Sequence, residues 1–310
     1  MKKNARIYLY MTGGLGNQLF EYALARNINL MIPSSELHID TSSYKKYKIR
    51  RFELDKCNIT KDAIISDKEI NGFKKIYFLF WKSLHRLLFK LTRKKKNGVK
   101  IFSDRVFQFC SKFGALTCLD ISYHKINFKQ LSKKRNIYIY GFYQSPKYFK
   151  ENLNLIKSEC VPVLKNSNAD EFIKKYNNLS KLGCFSFRCS ELKKMGLFID
   201  DLEPGFIDRA SNKMRELKTD TTILLTEDPD NAKLYLEDYD KYIKGCSFSP
   251  HEQLYIMMQC NKFVISNSSF SWWGAFLSNK KDKSIYCPRV WYKNILTEST
   301  ELLTEDMTTI

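Results

Sequence analysis

Val-Ile-Ser-Asn-Ser-Ser-Phe-Ser-Trp-Trp-Gly-Ala-Phe-Leu, residues 264–277, opens from a strand into a polar turn and then into a helix. Phe263, Val264 and Ile265 form a short apolar run of the kind that makes a buried strand. Ser266, Asn267, Ser268 and Ser269 follow, and an apolar segment of helical length begins at once. Such a turn aims several backbone N–H donors at one point, which suits an anion and above all a phosphate. The same residues also make an ordinary N-capped helix. The turn alone does not decide between these two readings.

A second turn of the same kind lies near the start of the chain. Residues 5–11 read as a strand, Gly13-Gly14-Leu15-Gly16-Asn17-Gln18 as a turn, and Leu19 to about Leu30 as a helix. Glycines at 13, 14 and 16 let the backbone approach a ligand closely. The spacing is not that of the dinucleotide fingerprint, and no Lys-Ser/Thr pair follows to make a P-loop. A tight strand-to-helix turn remains the alternative. Further strands are expected at 36–40, 136–142, 182–187, 221–226, 262–266 and 284–287. Helices are expected near 146–157, 204–217, 250–260 and 270–279. Strands alternating with helices argue for parallel sheets. Glu159 to Ser167, with Pro162, reads as a linker between domains 1–158 and 159–310.

A chain of 310 residues is about two domains long. Its 52 basic and 33 acidic residues leave a formal charge of +19, which favours anionic partners such as nucleotide-sugars, nucleic acid or an acidic membrane surface. No RNP or KH signature accompanies the charge, so nucleic acid is not expected as a partner. Nine cysteines without a CxxC pair read as reduced, mostly buried thiols of a cytoplasmic protein. Four scattered histidines have no metal-ligand spacing. The first strand follows Met1 too closely for a signal peptide. No apolar run approaches the roughly 18 to 20 residues that span a bilayer.

Residues 73–96 are apolar, aromatic and basic, and end in Arg93-Lys94-Lys95-Lys96. Apolar residues at 76, 80, 84, 87, 88 and 91 recur at helical spacing. A core-facing helix with a basic outer face fits this pattern. So does a helix lying in a membrane interface, which would bring the protein to lipid-linked glycans at an anionic inner membrane face.

The two turns together resemble the first and last signature motifs of the α-1,2-fucosyltransferases, glycosyltransferase family 11. Residues 12–23 (Thr-Gly-Gly-Leu-Gly-Asn-Gln-Leu-Phe-Glu-Tyr-Ala) and 266–277 carry the likeness. Between and beyond them, Gly141–Phe149 is similar to the family's Gly-Tyr-Trp-Gln-Ser-x-Lys-Tyr-Phe segment. Leu224–Pro229 resembles its Phe-Ser-Asp-Asp turn, and Cys287–Tyr292 its closing Pro-x-x-Trp. One motif is altered. Where the family carries His-x-Arg-Arg-Gly-Asp, this chain reads Ser186-Phe187-Arg188-Cys189-Ser190-Glu191.

The resemblance implies an α/β chain of the GT-B class, two Rossmann-like domains facing across a cleft, with acceptor on the N-terminal side and nucleotide-sugar on the C-terminal side. It implies inverting transfer of L-fucose from GDP-fucose to a galactose-terminated glycan in surface polysaccharide synthesis. Arg188 is expected to hold the donor phosphates, since its fork meets two oxygens at once. Gly14, Gly16, Asn17, Asn267, Ser268, Ser269 and Phe270 are expected around the donor. Glu227 and Asp228 are expected to accept from guanine or ribose, or else to cap the next turn. Glu191 and Glu21 are the candidates for a catalytic base. No cofactor or metal is expected if Arg188 and helix ends carry the leaving-group charge. The altered motif leaves open another GDP-deoxyhexose, such as colitose, or a non-catalytic binding relative.

Overall fold

Short apolar strands alternating with helices build two parallel sheets, each in its own part of the chain. The computed structural model describes residues 4–46, 50–68, 76, 79–81, 83, 84, 87, 94–96, 99–101, 104–118, 123–164, 167–194, 196–293 and 295–310. The chain divides into Met1–Cys160 and Val161–Ile310. Both units are Rossmann-like, as expected of a GT-B chain.

The first unit holds β1 (Arg6–Tyr10), β2 (Glu36–Asp40), β3 (Ile64–Ser66), β4 (Lys94–Lys96), β5 (Val99–Ile101), β6 (Ala115–Cys118) and β7 (Asn136–Gly141). Its five-stranded sheet runs β3-β2-β1-β7-β6 with every pair parallel, and β4 and β5 pair as an antiparallel hairpin. Strand order reverses at β1, so the carboxyl ends of β1 and β7 flank the switch point where open α/β sheets bind ligands. Ile7, Leu9, Ile137 and Ile139 are fully buried there. The helix Leu15–Met31 starts four residues earlier than its sequence pattern suggests, because Gly14 itself is the N-cap. The stretch expected as one helix near 146–157 is two 3₁₀ turns, Pro146–Tyr148 and Lys150–Asn152, followed by a helix at Leu153–Glu159.

Glu159 belongs to this unit and not to a linker. Its carboxylate accepts from Arg26 Nη2 at 2.9 Å and from Tyr22 Oη at 2.6 Å. A buried carboxylate with these two partners is costly to detach from them, so the chain stays with the first unit through Cys160.

The second unit holds β8 (Leu182–Ser186), β9 (Thr221–Leu225), β10 (Ile243–Lys244), β11 (Lys262–Ile265), β12 (Ser284–Cys287), β13 (Val290–Tyr292), β14 (Ile295–Leu296) and β15 (Met307–Thr309). Its parallel sheet runs β10-β9-β8-β11-β12-β15. That is the Rossmann order, with the first and fourth strands adjacent at the switch point. One cluster of the core gathers Phe185, Phe187, Phe198, Phe206 and Met214. Elsewhere the helix Ser269–Leu277 packs tightly on the helix Pro250–Met258. A Cβ on Gly274 would lie 2.3 Å from Met257 Sδ, so a side chain there would push the helices apart.

Most of residues 73–96 lie outside the described residues. Among the described residues, no helix is long and apolar enough to cross a membrane.

Gly141 closes β7 at φ +134°, and a Cβ there would fall 1.7 Å from the Cys118 carbonyl oxygen across the sheet. Gly141→Ala is expected to cost more than the roughly 3 kcal/mol that bounds ordinary substitutions. Gly196→Ala is the control. It shares a positive φ of +66° but meets nothing within 4 Å, so it should cost only about 1 kcal/mol of backbone strain. Urea unfolding of both variants checks this, and equal losses would contradict the packing argument.

Candidate functional site

Because β9, β8 and β11 are adjacent and parallel, their carboxyl ends emerge along one edge of the second sheet. β8 leads into Phe187, Arg188 and Cys189. β9 leads into Thr226, Glu227 and Asp228, and β11 into the turn Ser266–Ser268. The fold therefore brings together three segments that are about 40 residues apart in the chain.

Arg188 stands at the middle of this edge. Phe187, fully buried, anchors the turn by donating its backbone N–H to Leu225 O at 2.9 Å. The Arg188 N–H donates to Ser266 Oγ at 3.3 Å. Its Nε lies 3.2 Å from Glu227 Oε2, and the two side chains are only 13% and 19% exposed. Its guanidinium carbon lies 5.8 Å from the centre of the Phe270 ring. Backbone, carboxylate and ring thus fix the side chain from different directions. Glu227 also accepts the Cys189 N–H through Oε1 at 2.9 Å. One carboxylate joins the arginine side chain to the backbone beside it.

The helix that begins at Ser269 directs its N-terminus to the same place. Ser268 is the extended N-cap and its Oγ accepts from Ser271 N. Ser271 Oγ in turn bonds Ser186 Oγ at 2.7 Å, and both residues are buried. The first-turn N–H groups of a helix have no carbonyl partner within it and carry partial positive charge. A guanidinium and a helix N-terminus side by side repel each other, and an anion placed between them relieves the repulsion. Asn267 has a different task. Its Nδ2 donates to Leu197 O at 3.1 Å and to Trp291 O at 3.2 Å, so it ties neighbouring loops to the turn.

Asp228 takes the capping role that the sequence left as its alternative. It is the N-cap of the helix Pro229–Tyr235. Its Oδ1 accepts from Asn231 N at 3.0 Å and its Oδ2 from Asn231 Nδ2 at 2.7 Å. Both oxygens are engaged in holding the helix. Ser186 and Cys189, where the family motif has His and Arg, are 1% exposed and face the interior. Glu191 falls in the helix Ser190–Lys194, and its side chain lies outside the described residues.

In the first unit the glycine turn is a built feature. Gly13 has φ +75°, and a Cβ on it would lie 2.7 Å from Asn17 Nδ2. The Gly14 carbonyl accepts from Asn17 N at 2.9 Å and Gln18 N at 3.0 Å, so Gly16 and Asn17 sit in the first helical turn. Asn17 Oδ1 accepts from Gln144 Nε2 at 3.0 Å, which joins the two sides of the switch point. Gln18 is fully buried. It donates to Gly13 O at 3.0 Å and Arg51 O at 2.8 Å, and accepts from Glu53 N at 2.9 Å and Leu54 N at 3.0 Å. Tyr44 Oη donates to Gly13 O at 2.8 Å. The basic loop after β2 is thereby fastened onto the glycine turn. Arg50 Cδ and Nε lie 3.3 Å from where a Gly14 Cβ would stand. Sequence reading missed the role of Gln18; the signal was an amide directly after the glycine run.

Glu21 is turned into the interior. It is fully buried, and its carboxylate accepts from Thr12 N and Thr12 Oγ1, each at 2.9 Å. Burial pushes its pKa well above the ordinary 4.5, against the smaller opposing pull of the Thr12 bonds. This glutamate holds the strand end and is withdrawn as a base. Among the described residues, no group of three or more His, Cys, Asp or Glu is placed to hold a metal ion.

The family model described as glycosyl transferase family 11 matches residues 6–301. The chain is 26% identical over 304 residues to an α-1,2-colitosyltransferase of Escherichia coli, covering 91% of each chain. It is 23% identical over 308 residues to the O-antigen biosynthesis glycosyltransferase WbnK of Escherichia coli, covering 92% of this chain and 95% of that one. Among solved structures, a NodZ α-1,6-fucosyltransferase soaked with GDP-fucose aligns with a TM-score of 0.49 and 12% identity, covering 89% of this chain and 93% of that one.

The Glu21 pKa gives a pH-dependent test of its structural role. A carboxyl whose folded pKa is raised contributes stability that is full below its unfolded pKa, near 4.5, and is lost as pH rises toward the folded value. Glu21→Gln keeps an acceptor for Thr12 N and never ionises. The variant's Tm relative to the wild type should therefore climb as pH rises from 5 to 8, as followed by thermal unfolding across that range. A Tm difference that stays flat, or that falls with pH, would contradict burial as the cause.

Proposed function

The chain belongs to glycosyl transferase family 11, and on that premise we propose that it moves L-fucose from GDP-fucose to the 2-hydroxyl of a galactosyl acceptor in O-antigen synthesis. The observation that carries this reading is Arg188, fixed by Glu227 next to a helix N-terminus at the switch point of the second sheet. In the reaction the bond from the anomeric carbon to the diphosphate breaks as a bond to the acceptor oxygen forms on the opposite face. Negative charge grows on the departing GDP. Arg188 and the N–H groups of Ser269 and Phe270 meet that charge where it develops, which is the largest single contribution most active sites make. Glu227 holds the guanidinium in place, Ser266 holds the Arg188 backbone, and Ser268 holds the helix end. The acceptor proton leaves to a carboxylate or to water. Glu191, at the family's Asp position, is the remaining sequence candidate for that carboxylate. With two fixed positive groups at the leaving group, the reaction needs no metal ion.

A second reading has its own support. The 26% identity to a colitosyltransferase favours GDP-colitose as the donor, and the altered motif at 186–191 leaves room for it. Colitose is fucose without the 3-hydroxyl. A pocket that hydrogen-bonds this hydroxyl rejects the deoxy sugar by as much as about 10⁴-fold.

A panel of GDP-fucose and GDP-colitose against galactose-terminated acceptors, read by mass spectrometry, separates the two readings. The proposal expects fucosyl transfer to dominate and to persist in EDTA. Colitosyl transfer alone would establish the second reading. Loss of transfer in EDTA, restored by manganese, would overturn the metal-free mechanism.

Arg188→Ala should lower kcat by roughly 10²–10³-fold, the scale for losing one preorganised charge stabiliser. Glu227→Gln keeps an acceptor for Cys189 N but removes the charge that aims Arg188, and a fall in kcat of about tenfold is expected, equal to about 1.4 kcal/mol. Steady-state kinetics of both variants and of the double variant check this. A double variant no slower than Arg188→Ala fits a glutamate that works through the arginine. Additive losses would give Glu227 a separate role.

A further inference from the structure

The second sheet has an amino edge as well as the carboxyl edge that carries Arg188. Where β8, β11 and β12 begin, residues from 176–182, 259–261 and 280–282 line a cavity of about 150 Å³. The five residues of β8 separate it from Arg188, a span of roughly 15 Å. Asn261, only 8% exposed, fixes the walls. Its Nδ2 donates to Ser180 O at 2.8 Å on one side and to Lys281 O at 3.3 Å on the other. Its backbone ties the same strands, donating to Leu182 O at 3.0 Å and accepting from Ser284 N at 3.0 Å. The cavity is therefore built into the fold and needs no ligand to form.

Asn261 Oδ1 is buried without a hydrogen-bond partner. Buried polar atoms are nearly always paired, so an acceptor left over in a cavity-lining residue calls for a donor from outside the chain. Tyr176, Gln259, Lys280, Lys281 and Asp282 line the same cavity. Lys280 and Lys281 are exposed and form no ion pair among the described residues. The set offers donors on two ammonium groups, acceptors on Asn261 and Asp282, both on the Gln259 amide, and one aromatic ring. A fully ionised anion would use the lysines, but it would meet the Asp282 carboxylate and leave Asn261 Oδ1 unpaired. A sugar hydroxyl donates once and accepts twice, so several hydroxyls on one ring match donors and acceptors together. The C–H face of that ring suits the apolar body of Tyr176. Size points to a single ring, because the cavity is well below the roughly 300–1,000 Å³ of pockets for drug-sized ligands. We propose, on the reading of the chain as a transferase acting on a glycan, that this cavity binds one sugar unit of that glycan, apart from the edge where transfer occurs. A chain held here stays near the protein between transfers, which favours long acceptors over short ones.

Saturation-transfer NMR on the full chain tests this without donor or turnover, so its outcome is independent of which sugar the chain transfers. Galactose, glucose and N-acetylglucosamine are titrated as free sugars, with inorganic phosphate as a competitor. Two variants accompany the wild type, Lys280→Ala/Lys281→Ala and Tyr176→Ala, and thermal unfolding verifies that both remain folded. Saturable binding of at least one sugar is expected. Each variant should weaken it by at least about fivefold, the scale of one lost hydrogen bond, and phosphate should not displace it. Both variants should also raise KM for a long-chain acceptor while leaving transfer to a short galactoside unchanged. Loss of transfer with sugar binding intact would sink the proposed activity and leave this site standing. Binding that is unchanged in both variants would place the sugar elsewhere and overturn the proposal. No binding of any of the three sugars would also overturn it, as would displacement by phosphate, which would make the cavity an anion site.

Discussion

Two positive groups held side by side dominate the second unit: a guanidinium and the N-terminal end of a helix. The fold brings them together because β8 and β11 are adjacent and parallel, so Arg188 and the Ser266–Phe270 turn leave the sheet at neighbouring points. Left alone, they would raise each other's energy. Glu227 offsets part of that repulsion, and it does so from the guanidinium's Nε side. In the proposed reaction an anion completes the arrangement. A diphosphate that gains charge as its sugar departs is the anion whose binding strengthens during the reaction, and that differential is what catalysis requires.

The supporting residues make this geometry rigid. Phe187 pins the β8 turn to β9, the Ser186–Ser271 hydroxyl pair pins β8 to the helix, and Asn267 pins the turn to loops at Leu197 and Trp291. Serine at 186 and cysteine at 189 are both buried; the one bonds the helix at Ser271 and the other donates its backbone N–H to the glutamate that aims Arg188. The first unit repeats the theme with a glycine turn whose tight conformation is fixed by Gln18 and Glu21.

Much of the fold was legible in the sequence. The positions of β1, β2, β7, β8, β9, β11 and β12, the parallel arrangement and the two turns follow from apolar runs and from glycine and serine at strand ends. β3, β6, β10 and β15 of the two sheets were not legible, nor were the short pairs β4–β5 and β13–β14. All are short, and the pairing of those in the two sheets depends on neighbours distant in sequence. The helix Leu15–Met31 was placed too late because glycine is a poor helix former by propensity, yet here Gly14 caps the helix and Gly16 lies inside its first turn. Asp228 and Glu227 look alike in sequence, and only structure separates a helix cap from an arginine partner. Glu21 sits about one helical turn past the glycine run and reads as a candidate base, but the helix is buried nearly all round and takes the glutamate with it.

The most direct measurement is a crystal structure of the full chain with GDP bound. The account predicts the diphosphate at the carboxyl edge of the second sheet, with phosphate oxygens within hydrogen-bond distance of the Arg188 guanidinium and of the Ser269 and Phe270 amides. A diphosphate bound elsewhere, or bound there with Arg188 turned away from it, would contradict the account.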